Sequence, residues 1–161
     1  MQQVIIQLIG KILIERQQTI AVAESVTSGN LQVALSTAAD AAKFYQGGIT
    51  VYNLGQKSRH LNIEPIHAMS CNCVSEQVAC EMALEVCKLF HSDWGMAITG
   101  YASKVPESNN ELYAYYAITY AGSVMKSGKL EAPDAKPPEV QLYYTWELLK
   151  NLEKILKMNA V

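Results

Sequence analysis

Near the start of the chain, apolar residues fall at Val4, Ile5, Leu8, Ile9, Ile12 and Leu13, the spacing of an amphipathic helix. The run Thr19-Ile20-Ala21-Val22-Ala23 then predicts a first strand. Past the small-residue segment Ser25-Val26-Thr27-Ser28-Gly29, residues Leu31, Val33, Ala34 and Leu35 read as a short helix to about Ser36. A loop passes through Ala38-Ala39-Asp40. The second strand is Gly47-Gly48-Ile49-Thr50-Val51-Tyr52, its glycines marking a start or a bulge. A short helix carries Lys57, and Pro65 ends that helix or the loop after it.

Ser75-Glu76 opens the next helix, with apolar positions at Val78, Ala79, Met82, Ala83, Val86 and Leu89. Trp94 to Thr99 predicts a third strand, and Gly100 to Asn110 a polar loop. Leu112 to Ala121, rich in Tyr and Ile, predicts a fourth strand. Gly122-Ser123 turns into a fifth, Val124 to Leu130. Pro133, Pro137 and Pro138 break the chain before a last helix from Glu139 to Lys157. This order implies an α/β fold: three layers, α/β/α, around a five-stranded mixed sheet, with residues 1–161 as a single domain.

Half of the 161 residues are hydrophobic and 17% are charged, which excludes a disordered chain. A net charge of −2 gives no bias toward nucleic acid or anionic membrane. The stretch Val4 to Ile14 is broken by Gln7, Gly10 and Lys11, too short and polar to cross a bilayer, and it lacks a signal cleavage site. A soluble cytoplasmic protein is expected. The cysteines at 71, 73, 80 and 87 do not have the paired spacing of a zinc site, and no metal is expected. Cys80 and Cys87 share a helix face with Ala83 and Leu84 and read as small core hydrophobes. The three histidines are scattered.

Ser25 stands at a strand-to-helix junction, where free backbone N–H groups point toward a ligand. Such a serine serves as a helix cap, an anion contact or a nucleophile beside an oxyanion site. Ligands of open α/β sheets bind beyond the carboxyl ends of the strands. That rule brings the Ser25 junction, the Tyr52–Lys57 segment and the loop after Thr99 to one rim.

These segments resemble the carboxy-terminal domain of the CinA family, which includes amidohydrolases of nicotinamide mononucleotide. The resemblance rests on Ala23-Glu24-Ser25-Val26-Thr27-Ser28-Gly29, on Gly47 to Tyr52 followed by Lys57, on Val74 to Met82, and on Asp93 to Gly100. It implies a cofactor-free serine amidase acting on a nucleotide-like small molecule, with Ser25 as nucleophile and Lys57 as general base. Thr27, Ser28, Gly29, Tyr52, Thr99, Gly100 and Ala102 would surround the substrate, the backbone of Thr27 to Gly29 receiving the oxyanion. It also implies self-association as a dimer.

Three departures matter. Ser28 replaces a glycine, which is costly if the backbone needs positive φ. Tyr101 to Asn110 replaces a glycine-rich loop, keeping only Ala102 in place and offering Lys104 as a point charge. Pro133-Asp134-Ala135-Lys136 lacks the family's phosphate-binding Arg. Either the substrate lacks that phosphate, or the domain binds a nucleotide or protein partner without turnover.

Overall fold

The computed structural model describes residues 1–158. Its elements are α1 (Gln2–Glu15), β1 (Ile20–Glu24), α2 (Asn30–Ser36), β2 (Tyr45–Thr50), α3 (Leu54–Leu61), α4 (Pro65–Ser70), α5 (Glu76–Phe90), β3 (Trp94–Gly100), β4 (Tyr113–Tyr120), β5 (Ser123–Glu131) and α6 (Pro137–Met158). The strands form one five-stranded sheet in the order β2-β1-β3-β4-β5. β2, β1 and β3 run parallel, and β4 and β5 complete the sheet antiparallel. The expected α/β sandwich around a mixed five-stranded sheet is the observed one.

Helices cover both faces because the central strands are apolar on both. All five residues of β1 are buried, and successive side chains point to opposite faces. Ile20 and Val22 join Trp94, Met96 and Ile98 of β3 in a core shared with α1, α2 and α6. Ala21 and Ala23 join Ala97 and Ala117 in a second core under α5, with Leu61 of α3 and Ala68 of α4. Continuing that alternation past the last strand residue aims Glu24 toward α2 and Ser25 toward α3.

Several boundaries differ from the expectation. Of the two expected roles, Pro65 ends the loop after α3, and in doing so it starts a helix: it occupies the first turn of α4, where a missing N–H costs nothing. Glu64 caps that turn, its carboxylate accepting from the N–H groups of Ile66 and His67. The segment escapes a periodicity reading because Ala68 is its only buried residue, while Ile66 and Met69 are exposed.

β2 begins two residues earlier and stops at Thr50. The register against β1 slips between Ile20 and Ala21, where Gln46 is the extra residue and Gly47 takes a φ of 131°. The glycine pair thus marks a bulge inside the strand. Pro137 and Pro138 lie within the first turn of α6 instead of breaking the chain before it. Cys80 and Cys87, expected in the core, are half-buried along the edge of α5; the buried cysteine is Cys73.

Candidate active site

Ser25 opens a tight turn that leads from β1 into α2. The N–H of Ser28 donates to the Ser25 carbonyl at 3.1 Å, and that of Asn30 to the Thr27 carbonyl at 3.0 Å. To reverse so sharply, Ser28 and Gly29 adopt φ values of 47° and 103° in succession. Only glycine does this freely, so Ser28 carries the strain anticipated for it.

Glu24 holds the turn in place. Its carboxylate is fully buried and accepts from Thr27 Oγ1 at 2.6 Å, Leu31 N at 2.9 Å and Gln32 N at 3.0 Å. The first turn of α2 is therefore capped from beneath by the preceding strand, which fixes the Ser25 Cα between strand and helix. Gln141 of α6 adds a second tie, donating from Nε2 to the Val26 carbonyl at 2.9 Å.

Lys57 reaches Ser25 from α3. Asn53 caps that helix by accepting from Gln56 N, and Lys57 and Leu61, one turn apart, form its buried face. The lysine is 1% exposed, an unusual fate for this residue type. Its Nζ donates to Ser25 Oγ at 3.0 Å and to the Val51 carbonyl at 3.0 Å. Among the described residues no carboxylate forms an ion pair with it. Burial pushes the amine below the ordinary lysine range, opposed in part by the neighbouring Cys73 thiol.

Both groups line a cavity of about 590 Å³ at the carboxyl ends of β1 and β3. Its wall also contains Val26, Tyr52, Asn53, Leu54 and residues of the α4–α5 turn, with Thr99 to Ser103 opposite. Thr99 is buried and donates from Oγ1 to the Cys73 carbonyl at 2.7 Å, fastening that turn to the sheet. Tyr101 is held on two sides: its carbonyl accepts from Tyr144 Oη at 2.8 Å, and its own hydroxyl accepts from Asn72 Nδ2 at 3.1 Å.

Of the residues singled out from the sequence, Ser25, Lys57, Tyr52, Thr99, Gly100 and Ala102 meet in this one cavity. Thr27, Ser28 and Gly29 do not line it. The Thr27 hydroxyl is committed to Glu24, and Gly29 sits at the N-cap of α2. Lys104 pairs with Asp134 at 2.8 Å on the surface.

Sequence reasoning missed Glu24 as the group that shapes the turn. Its signal was a lone carboxylate ending a wholly apolar strand just before a helix. It also missed Asn72 and Cys73, left-handed residues in the α4–α5 turn with φ of 52° and 62°. No local pattern announces them, since only the packing of α4 brings them to the cavity. Among the described residues no cluster of His, Cys, Asp or Glu is fit to hold a metal ion, and no helix is long and apolar enough to cross a membrane.

A CinA-like protein of Picosynechococcus sp. is 34% identical over 113 residues, 70% of this chain and 27% of its own length. The chain spans about a quarter of the length of the relatives it matches. A solved CinA superfamily protein from Enterobacter cloacae superposes with a TM-score of 0.91 at 25% identity, covering 97% of this chain and 92% of that one. Another from Klebsiella pneumoniae gives a TM-score of 0.91 at 24% identity, over 98% and 99% of the two chains, and shows the same fold. The CinA C-terminal domain model matches residues 2–132, which contain the whole sheet and every residue of the cavity wall. The chain belongs to the CinA C-terminal domain family.

Proposed function

We propose that this domain is a serine amidohydrolase that releases ammonia from a primary carboxamide, such as that of nicotinamide mononucleotide. The observation that carries the reading is the 3.0 Å contact between Ser25 Oγ and a lysine amine with almost no access to water. A serine hydroxyl is a weak nucleophile until a base within hydrogen-bond reach takes its proton. Lysine is such a base only when neutral. Burial without a carboxylate partner favours the neutral form, because it withholds the solvent and counter-charge that an ammonium needs.

The reaction follows from these positions. Neutral Lys57 keeps one N–H on the Val51 carbonyl while its lone pair accepts the Ser25 proton. Ser25 Oγ attacks the carboxamide carbon and a tetrahedral oxyanion forms in the cavity. Lys57 passes its proton to the amide nitrogen, the C–N bond breaks, and ammonia leaves an acyl-serine. Water then attacks the ester, giving its proton to Lys57, and the carboxylate departs as Ser25 is restored.

Ammonia release from nicotinamide mononucleotide and from simpler primary carboxamides tests the reading. Wild-type protein is expected to release ammonia, and Ser25→Ala and Lys57→Met proteins to lose it. Equal release by wild type and Ser25→Ala would remove the hydrolase. Tight ligand binding with no turnover would favour the binding-domain reading, to which the replaced loop at Tyr101 to Asn110 lends its support.

A further inference from the structure

We propose that Tyr101 and Asn72 form a fixed clasp at the cavity mouth that limits the girth of the carboxamide admitted to Ser25. The proposal rests on the amidohydrolase reading for its substrate and adds a specificity determinant to it.

Two segments of the cavity wall, the α4–α5 turn and the end of β3, are hydrogen-bonded to each other at two depths. Thr99 and Tyr101 stand two positions apart on an extended chain, so their side chains leave it on the same side. Inside, the buried Thr99 hydroxyl donates to the Cys73 carbonyl at 2.7 Å. At the rim, the exposed Asn72 donates from Nδ2 to Tyr101 Oη at 3.1 Å. Both Asn72 and Tyr101 line the cavity, so the outer bond closes its wall where the inner bond leaves off.

The outer bond is held from both ends. The N–H of Tyr101 donates to the Tyr113 carbonyl at 2.9 Å, carrying the β3–β4 pairing one residue further, and its carbonyl accepts from Tyr144 Oη at 2.8 Å. Its ring meets that of Tyr113 edge-on, with centroids 5.4 Å apart. On the other side, Asn72 and Cys73 form a turn of two left-handed residues, φ 52° and 62°. That turn is pinned by Cys73 N–H to the Ala68 carbonyl at 2.7 Å and Val74 N–H to the Cys71 carbonyl at 3.0 Å.

Groups positioned in advance by their backbones lose little further freedom on pairing. The clasp therefore acts as a wall of set width. A slender carboxamide passes inside it, while a broad one has to part the bond. One neutral hydrogen bond given up corresponds to a handicap of about two- to tenfold.

Two readouts test this, one of which needs no turnover. The first is ammonia release from slender butyramide and bulky adamantane-1-carboxamide. The second is alkylation of Cys73, inside the clasp, by iodoacetamide and by the larger pyrenylmaleimide, located by peptide mapping. Tyr101→Phe removes the bond and keeps the ring; Asn72→Gly removes it and keeps a left-handed backbone. Each is expected to raise the bulky-to-slender rate ratio by about two- to tenfold over wild type in both readouts. The double variant is expected to match either single one, because only one bond is there to lose. An unchanged or lower labelling ratio in either variant overturns the clasp and leaves the amidohydrolase standing, and so does a double variant in which the two effects multiply. If wild type releases ammonia from neither amide, the amidohydrolase reading fails for these compounds, and the labelling ratio alone decides the clasp.

Discussion

The sheet presents Ile20, Val22, Trp94, Met96, Ile98 and Ile118 to α1, α2 and α6, but Ala21, Ala23, Gly95, Ala97 and Ala117 to the helices on its other face. The first face is filled by its own large side chains. On the second, α5 comes down so close that a Cβ added at Gly95 would lie 2.4 Å from the Ala83 carbonyl oxygen. The small-residue face therefore excludes bulk along its length. At the strand ends, where α5 no longer covers it, the same face continues as Ser25 and Thr99 beside the cavity. The large-residue face provides most of the packed core, and the small-residue face leaves room for Lys57 and a ligand.

Disabling the chemistry on the small-residue face gives the largest expected effect. Lys57→Met should lower kcat by about 10⁴-fold, as loss of one member of a nucleophile–base pair does. Wild-type activity should rise with pH through the depressed Lys57 pKa, with a midpoint below that of an ordinary lysine. The unfolded chain binds the extra proton in that interval, so stability also rises with pH across it. A flat pH–rate profile would break the assignment of the base.

The two faces should fail in opposite ways. Ile9→Ala empties space in the large-residue core and should cost about 2–5 kcal/mol in denaturant unfolding. Gly95→Ala overfills the small-residue face and should cost about 1–3 kcal/mol. If the alanine were accepted there without loss, the close approach of α5 would not be what shapes that face.

Glu24→Gln replaces a carboxylate that accepts three hydrogen bonds with an amide that cannot accept them all. A loss of about 1–3 kcal/mol is expected. Because Glu24 acts through the position of Ser25, kcat should fall while the pH midpoint set by Lys57 stays put. Ser28→Gly is the smallest change and the one expected to stabilise, by about 1 kcal/mol, since it relieves a left-handed backbone at φ 47°. A lower melting temperature for that variant would show the serine side chain to be supporting the turn.

The hydrophobic pattern by itself determined the strands, their order of types and the long helices, because burial on a sheet face or helix stripe leaves a period in the sequence. The short helix α4 left no such period, with one buried residue in six, and the bulge in β2 shifted its ends. The motif residues Ser25 and Lys57 were visible as candidates, and so was the cost of a serine at position 28. Only the tertiary structure decided that Lys57 is dry and that Lys104 is spoken for by Asp134. Those outcomes depend on which distant groups arrive at the same point. A lysine's charge state and partner are set by neighbours 16 or more positions away, as Cys73 is from Lys57 and Asp134 from Lys104, and local sequence carries no record of them.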